Sequence, residues 1–474
     1  MFKATRTFIF LAIFALFSSV SFGQTNAPDS TVLDMFIKGL PTGKVKLIGM
    51  YGDQNYLADS AMVDANGHFT FRRKHPLPSG YYYALTPQGK NFAFLLDDNE
   101  QFVTFRADAA DFLTTMEVSG SLNTELLYQN FRFQAEQDRE LGQLSGVLKA
   151  NAPGTEAFNK ARQRQEELIL YRKKHLEASF AKYPEALYSK YKMAGQNPDL
   201  IEFKKANGET DTVRQLASYR GRWWDNVDFT DERLIRTPVI ANKLKRFVKE
   251  FIPQRPDSLI AVTDPLIRKV MPYKPYFQFF ANWIAMQYEN GKTTVMDGEA
   301  VYVHIVNNFF TPELAFWDKP DNIAQLRKHV WEMEASLMGK KGPDVKAPNQ
   351  YGQEKSIYEI KAPIVVVFMF SPDCEHCQKD ADKIESIYQQ YKGKGVEFFG
   401  IGVNTNEADW KAFVAQHKFS FTNVFDPTNV AIYAKYFVDI TPELYILNKE
   451  RTIVAKNLNA DQLPTMLDRE LKKL

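Results

Sequence analysis

Pro363-Ile364-Val365-Val366-Val367-Phe368-Met369-Phe370-Ser371-Pro372-Asp373-Cys374-Glu375-His376-Cys377 is the stretch on which the reading of this chain turns. From Ile364 to Phe370 every residue is apolar, the pattern of a strand covered on both faces. Ser371-Pro372-Asp373 breaks the run sharply. The two cysteines then open a helix whose buried stripe is Ile384, Ile387, Tyr388 and Tyr391. Residues 396–403 read as a second buried strand, and a helix with Trp410, Phe413 and Val414 follows. Leu444-Tyr445-Ile446-Leu447 and Thr452-Ile453-Val454-Ala455 read as a hairpin around Asn448-Lys449, and a last helix aligns Leu463, Leu467 and Leu471. Residues 343–474 therefore predict an α/β domain in the order β-α-β-α-β-β-α.

A cysteine placed where a helix begins has a chemical consequence. The free N–H groups of the first turn, with a dipole equivalent to roughly half a positive charge, favour thiolate over thiol. Cys374 is the expected exposed, attacking sulfur. Cys377, one turn further in, is the expected buried sulfur that resolves a mixed disulfide. The chain has only 2 cysteines. A disulfide-held scaffold would use more and scatter them, so one close pair reads as a redox couple.

This order of elements, with Cys-x-x-Cys between the first strand and its helix and Thr441-Pro442 just ahead of the hairpin, resembles the thioredoxin fold. Within it the TlpA/ResA-like thiol-disulfide oxidoreductases look most similar. The resemblance implies that Pro442 is a cis-proline and that Thr441 pairs with an extended substrate strand. It also implies that Asp380, where ResA-like proteins carry an acid beside the pair, tunes cysteine acidity or shuttles a proton. A first-turn acid stabilising its own helix is the equal alternative. His376, if protonated, stabilises the Cys374 thiolate and makes the disulfide a stronger oxidant. Glu375 acts the other way, and the two leave both directions of electron flow open. Some family features are missing. The buried acid of thioredoxin is replaced by Phe368 and its usual Trp by Asp373. Ser371 is similar to a peroxidase feature, but the accompanying proline is replaced by Val367.

Upstream, residues 32–120 read as an antiparallel β-sandwich-like domain. Lys44-Val45-Lys46-Leu47-Ile48 alternates, Asn66-Gly67 is a turn signal, and aromatic runs such as Tyr81-Tyr82-Tyr83 read as core rather than as a binding face. Residues 121–340 read as a helical region. His304 there reads as a core or surface residue, and Thr230-Asp231-Glu232-Arg233 as a helix cap with first-turn acids rather than an acidic site. The β region, with Asp59-Ser60 and Asn66-Gly67, resembles an uncharacterised domain that precedes thioredoxin-like domains. The segment Trp223-Trp224-Asp225-Asn226-Val227-Asp228-Phe229, with Pro238 and Asp297, is similar to an uncharacterised helical domain of the same multidomain proteins.

Residues 1–23 read as a signal peptide. Lys3 and Arg6 precede an uncharged stretch, and Ser21 and Gly23 are small residues at a cleavage site. No cysteine lies at that site, so a lipoprotein is not expected. Lys and Arg total 59 and Asp and Glu 57. Losing Lys3 and Arg6 balances the two signs, which argues against a nucleic-acid partner. The sequence thus predicts an exported, periplasmic thiol-disulfide oxidoreductase. It would act on protein disulfides or dithiols and be recharged by a membrane-borne electron donor or acceptor, with no cofactor or metal beyond the cysteine pair. Two alternatives are a Sco-like copper-handling protein, since soft thiolates suit Cu(I), although such proteins usually have three residues between their cysteines where this chain has two, and a binding protein that senses redox state.

Overall fold

The computed structural model describes residues 29–430, 435–438 and 440–474. The expected signal peptide, residues 1–23, lies outside the described residues. Among these, no helix is long and apolar enough to cross a membrane. The described residues divide into two compact units, residues 29–48 with 57–161 and the described residues of 49–56 with 162–474.

The first unit is built on strands β1 (Thr31–Lys38), β2 (Gly43–Tyr51), β3 (Gln54–Val63), β4 (His68–Arg73), β5 (Gly80–Leu85), β6 (Asn91–Leu96), β7 (Phe102–Asp108) and β8 (Glu117–Ser119). They form two four-stranded sheets, in the orders β4-β1-β7-β8 and β3-β2-β5-β6. β1 and β4, β5 and β6, and β7 and β8 pair antiparallel. β1 and β7 run parallel, because the first strand inserts between two later ones, which no local pattern announces. The alternating side chains Leu33, Met35, Phe69, Phe71, Tyr82, Phe94 and Phe105 are buried in one core. The strand aromatics are thus mainly core, although Phe102 is exposed. Short α1 (Phe112–Thr115) precedes β8, and α2 (Leu122–Ala150) follows it. Ser121 caps α2 by accepting from the Thr124 N–H, the expected role of serine at a helix start.

The helical region continues through α3 (Glu156–Lys182), α4 (Leu187–Ala194), α5 (Thr212–Gly221), α6 (Pro238–Glu250), α7 (Pro256–Val270), α8 (Lys274–Gln287), α9 (Glu299–Phe309) and α10 (Pro320–Glu334). The helix cap near residue 231 differs in one detail from expectation. Asp231, not Thr230, caps the 3-10 turn Glu232–Arg236, while the Thr230 hydroxyl donates to Asp228. Asp231 faces Arg233 and Asp228 faces Lys190, so these acids are paired rather than convergent. His304 lies 2.8 Å from the Asp264 carboxylate.

The C-terminal part contains β9 (Lys346–Pro348), β10 (Glu354–Ser356), β11 (Ile364–Phe370), α11 (Glu375–Tyr391), β12 (Val396–Gly402), α12 (Glu407–Gln416), β13 (Thr422–Phe425), β14 (Glu443–Leu447), β15 (Ile453–Ala455) and α13 (Leu463–Leu471). Its five-stranded sheet runs β13-β12-β11-β14-β15. β11, β12 and β13 are parallel, and β14 runs against β11. β11 is central and buried at every residue. Phe368 and Phe370 pack with Ile384, Ile387, Phe413 and Leu467 on one face. Val365, Val367 and Met369 pack with Ile357, Tyr436 and Tyr445 on the other. That two-sided burial is why the strand tolerates no polar residue. β13 is an addition to the expected order. Its run is short, and the fully buried Asn423 interrupts its apolar pattern.

Candidate active site

The C-terminal end of β11 delivers the chain to the site. After Phe370 the turn closes with the Cys374 N–H donating to the Ser371 carbonyl at 3.1 Å. Cys374 is then the N-cap of α11. Its sulfur accepts from the Cys377 N–H at 3.3 Å, one of the amides a helix start leaves without an intrahelical acceptor. In the thiol form the same sulfur donates to the Thr441 carbonyl at 3.0 Å. Ionisation gives up that bond and keeps the amide donor, which a charged sulfur engages more strongly.

The two thiols are free and differ in environment, Cys374 partly exposed and Cys377 buried. Partial burial alone would raise the Cys374 thiol. Hydrogen bonds from the Cys377 and Thr441 side chains and from the Cys377 and His376 N–H groups outweigh it and hold the group below the ordinary thiol value. Burial, followed by its contact with Cys374, pushes Cys377 up to about 12. One sulfur is thus prepared to attack at neutral pH and the other is held as a thiol.

The remaining residues expected at the site fall as follows. Thr441 faces Cys374, and the Thr441–Pro442 peptide bond is cis. Glu375 and His376 are exposed. His376 reaches the sulfur through its backbone N–H. Asp380 is half-buried on α11, three residues beyond Cys377. Phe368, at the position of thioredoxin's buried acid, stacks on Phe370 with centroids 5.1 Å apart. Among the described residues no group of three or more His, Cys, Asp or Glu side chains could hold a metal ion.

Beside Pro442 lies a group of buried charges that sequence reasoning did not assemble. Glu443 is the first residue of β14, and its carboxylate accepts from the Asn457 N–H at 2.9 Å. The Asn457 side-chain amide donates to Glu299 at 2.9 Å. Lys456, almost fully buried, places Nζ 3.6 Å from Glu299 and 3.9 Å from Asp297. Only Asp297 carried a sequence signal, through the helical-domain resemblance. The others are far apart along the chain and meet only in the folded protein. Burial raises Glu443 and Asp297 each to about 7, with Lys456 opposing the shift.

These environments lead to two expectations. Iodoacetamide should modify Cys374 with a pH midpoint below that of a free thiol, ~8.5, and leave Cys377 untouched at neutral pH; mass spectrometry of the reduced protein reads both. The second concerns stability. The folded state keeps protons on Glu443 and Asp297 that an unfolded chain, with carboxyls near ~4, has already lost. Their contribution is therefore complete below about pH 4 and is lost as pH rises through about 7. Glu443→Gln should flatten the fall in urea-unfolding free energy between these limits, by on the order of 3 kcal/mol, because the amide keeps the Asn457 bond and does not ionise.

Comparison with known proteins gives the following. Residues 338–456 match the AhpC/TSA family and residues 32–127 match a domain of unknown function, DUF4369. Thiol-disulfide oxidoreductase ResA of Bacillus cereus is 24% identical over 143 residues, 30% of this chain and 82% of that protein. ResA of Bacillus anthracis is likewise 24% identical over 143 residues, with the same 30% and 82% coverage. A thioredoxin-like protein from Bacteroides caccae of known crystal structure aligns with a TM-score of 0.48 at 17% identity, covering 58% of this chain and 99% of its own. The domain in which β11 leads into the cysteine-capped helix thus matches the AhpC/TSA family model over residues 338–456 and is similar to thiol-disulfide oxidoreductases.

Proposed function

We propose that this chain is an exported oxidoreductase that exchanges disulfides with periplasmic proteins through Cys374 and Cys377. The observation that carries the reading is the asymmetry of the pair. An accessible sulfur sits on a helix N-terminus with the Thr441 carbonyl 3.0 Å away, and its partner is buried one turn behind.

In the reducing direction the Cys374 thiolate attacks one sulfur of a substrate disulfide. A Cys374–substrate S–S bond forms, the substrate S–S bond breaks, and the first substrate sulfur leaves as a thiolate. Cys377 then attacks Cys374 Sγ. Its proton, held tightly by burial, passes to the second departing substrate sulfur, directly or through water. Two electrons have moved to the substrate, and Cys374–Cys377 is a disulfide. A membrane-borne dithiol donor restores the pair, and the oxidising direction is the reverse. No cofactor beyond the cysteines takes part. Export rests on residues 1–23. Reduction potential decides direction: near ~−270 mV the protein is a reductant, near ~−120 mV an oxidant.

With Phe368 where thioredoxin has its acid, the nearest carboxylate along α11 past the pair is Asp380, which we assign to tuning the acidity of the cysteines. Asp380→Asn should move the pH midpoint of Cys374 alkylation without altering the fold's circular dichroism, and an unmoved midpoint leaves Asp380 as a helix-stabilising acid. Cys377→Ala should accumulate mixed disulfides with periplasmic proteins, separable on non-reducing gels and released by dithiothreitol. Cys374→Ser should form none and lose all turnover. A Cys377→Ala protein that captures nothing would sink the proposal.

A further inference from the structure

We propose that the cavity beside Pro442 is a subsite for a side chain next to the reacting cysteine of the substrate, and that it rejects acidic side chains. The proposal deepens the disulfide-exchange reading and rests on it.

Position comes first. Pro442 and Ile440 flank Thr441, the residue facing Cys374, and both line a cavity of about 340 Å³. A substrate strand laid along Thr441 with its cysteine at Cys374 projects successive side chains to opposite faces. A neighbour of that cysteine therefore points at Pro442 and Ile440. The volume accommodates one or two side chains.

The opposite wall does not come from the thioredoxin-like domain. It is the segment 290–299 leading into α9, contributing Thr293, Thr294 and Glu299. Gly291 makes the close approach possible. It has a φ of +72°, and a Cβ there would lie 3.1 Å from Ile440 Cδ1. Ile440 remains 58% exposed at the rim, available for contact.

Chemistry then selects the occupant. Glu299 and Glu443 both line the cavity. Lys456 lies against Glu299 and Asp297, so one amine is shared by two carboxyl groups and Glu443 adds a third carboxyl to the cluster. Two of the three Asn457 N–H donors are used on Glu443 and Glu299. Its Oδ1 is buried and has no hydrogen-bond partner. What the cavity leaves open is therefore rich in carboxyl and amide oxygens, with one amine beside three carboxyl groups. A side chain carrying an N–H or a positive charge completes it, whereas a carboxylate enters unbalanced.

The test uses the full chain and disulfide-linked peptides with Asn, Lys or Asp beside the cysteine, compared with neutral 2,2′-dithiodipyridine, which has no flanking residue. The Asn and Lys peptides should react with kcat/KM about tenfold above the Asp peptide. Thr294→Trp, at an exposed position on the helical wall, should lower the ratio of peptide to dithiodipyridine kcat/KM by a similar factor and erase the discrimination. Thr294→Lys should restore the Asp peptide. Equal rates for the three peptides, unaffected by either variant, overturn the subsite and leave disulfide exchange standing. No reaction of the unaltered protein with dithiodipyridine overturns exchange and subsite together.

Discussion

The sulfur of Cys374 is held between two backbone groups of opposite kind, an amide from the first turn of α11 and the carbonyl of Thr441. Everything else in the C-terminal domain serves to keep those groups in place. β11 is buried on both faces, so its last residue cannot shift without disturbing two cores. α11 is fixed by Ile384, Ile387 and Tyr388 against the same sheet. The chain between Phe370 and Cys374 is short enough that these two anchors determine where the sulfur emerges.

The pair works by difference. Two equivalent thiols would compete for attack and for release, whereas one partly exposed and one buried thiol divide the roles. Burial raises Cys377, whereas hydrogen bonds outweigh partial burial and lower Cys374. The stacked rings of Phe368 and Phe370 occupy the place of a buried proton acceptor.

The helical region takes part in the architecture of the site. Glu299 at the start of α9 is bonded to Asn457 and faces Lys456, both of them just past β15. A buried carboxyl cluster is costly unless its members share protons and donors. Here Asn457 supplies two donors and Lys456 an amine. The arrangement ties residues 290–299 to the loop containing Pro442, so a segment remote in sequence lines the same cavity as Ile440 and Pro442.

The sequence by itself determined the thioredoxin-like order of elements, because the unbroken run from Ile364 to Phe370 and the helical stripe through Ile384 and Ile387 are local patterns that burial imposes directly. It also determined which cysteine stands at the helix start, since Cys374 directly follows the Ser371-Pro372-Asp373 turn. Local patterning missed β13, whose short run is interrupted by Asn423, and it could not show that β1 runs parallel to β7. Tertiary structure alone decided which carbonyl faces the sulfur and how deeply Cys377 is buried. It alone brought Asp297, Glu299, Glu443 and Lys456 together. Contacts between residues distant along the chain leave no periodic trace in the sequence, and burial, which sets the acidities of these groups, is a property of the folded whole.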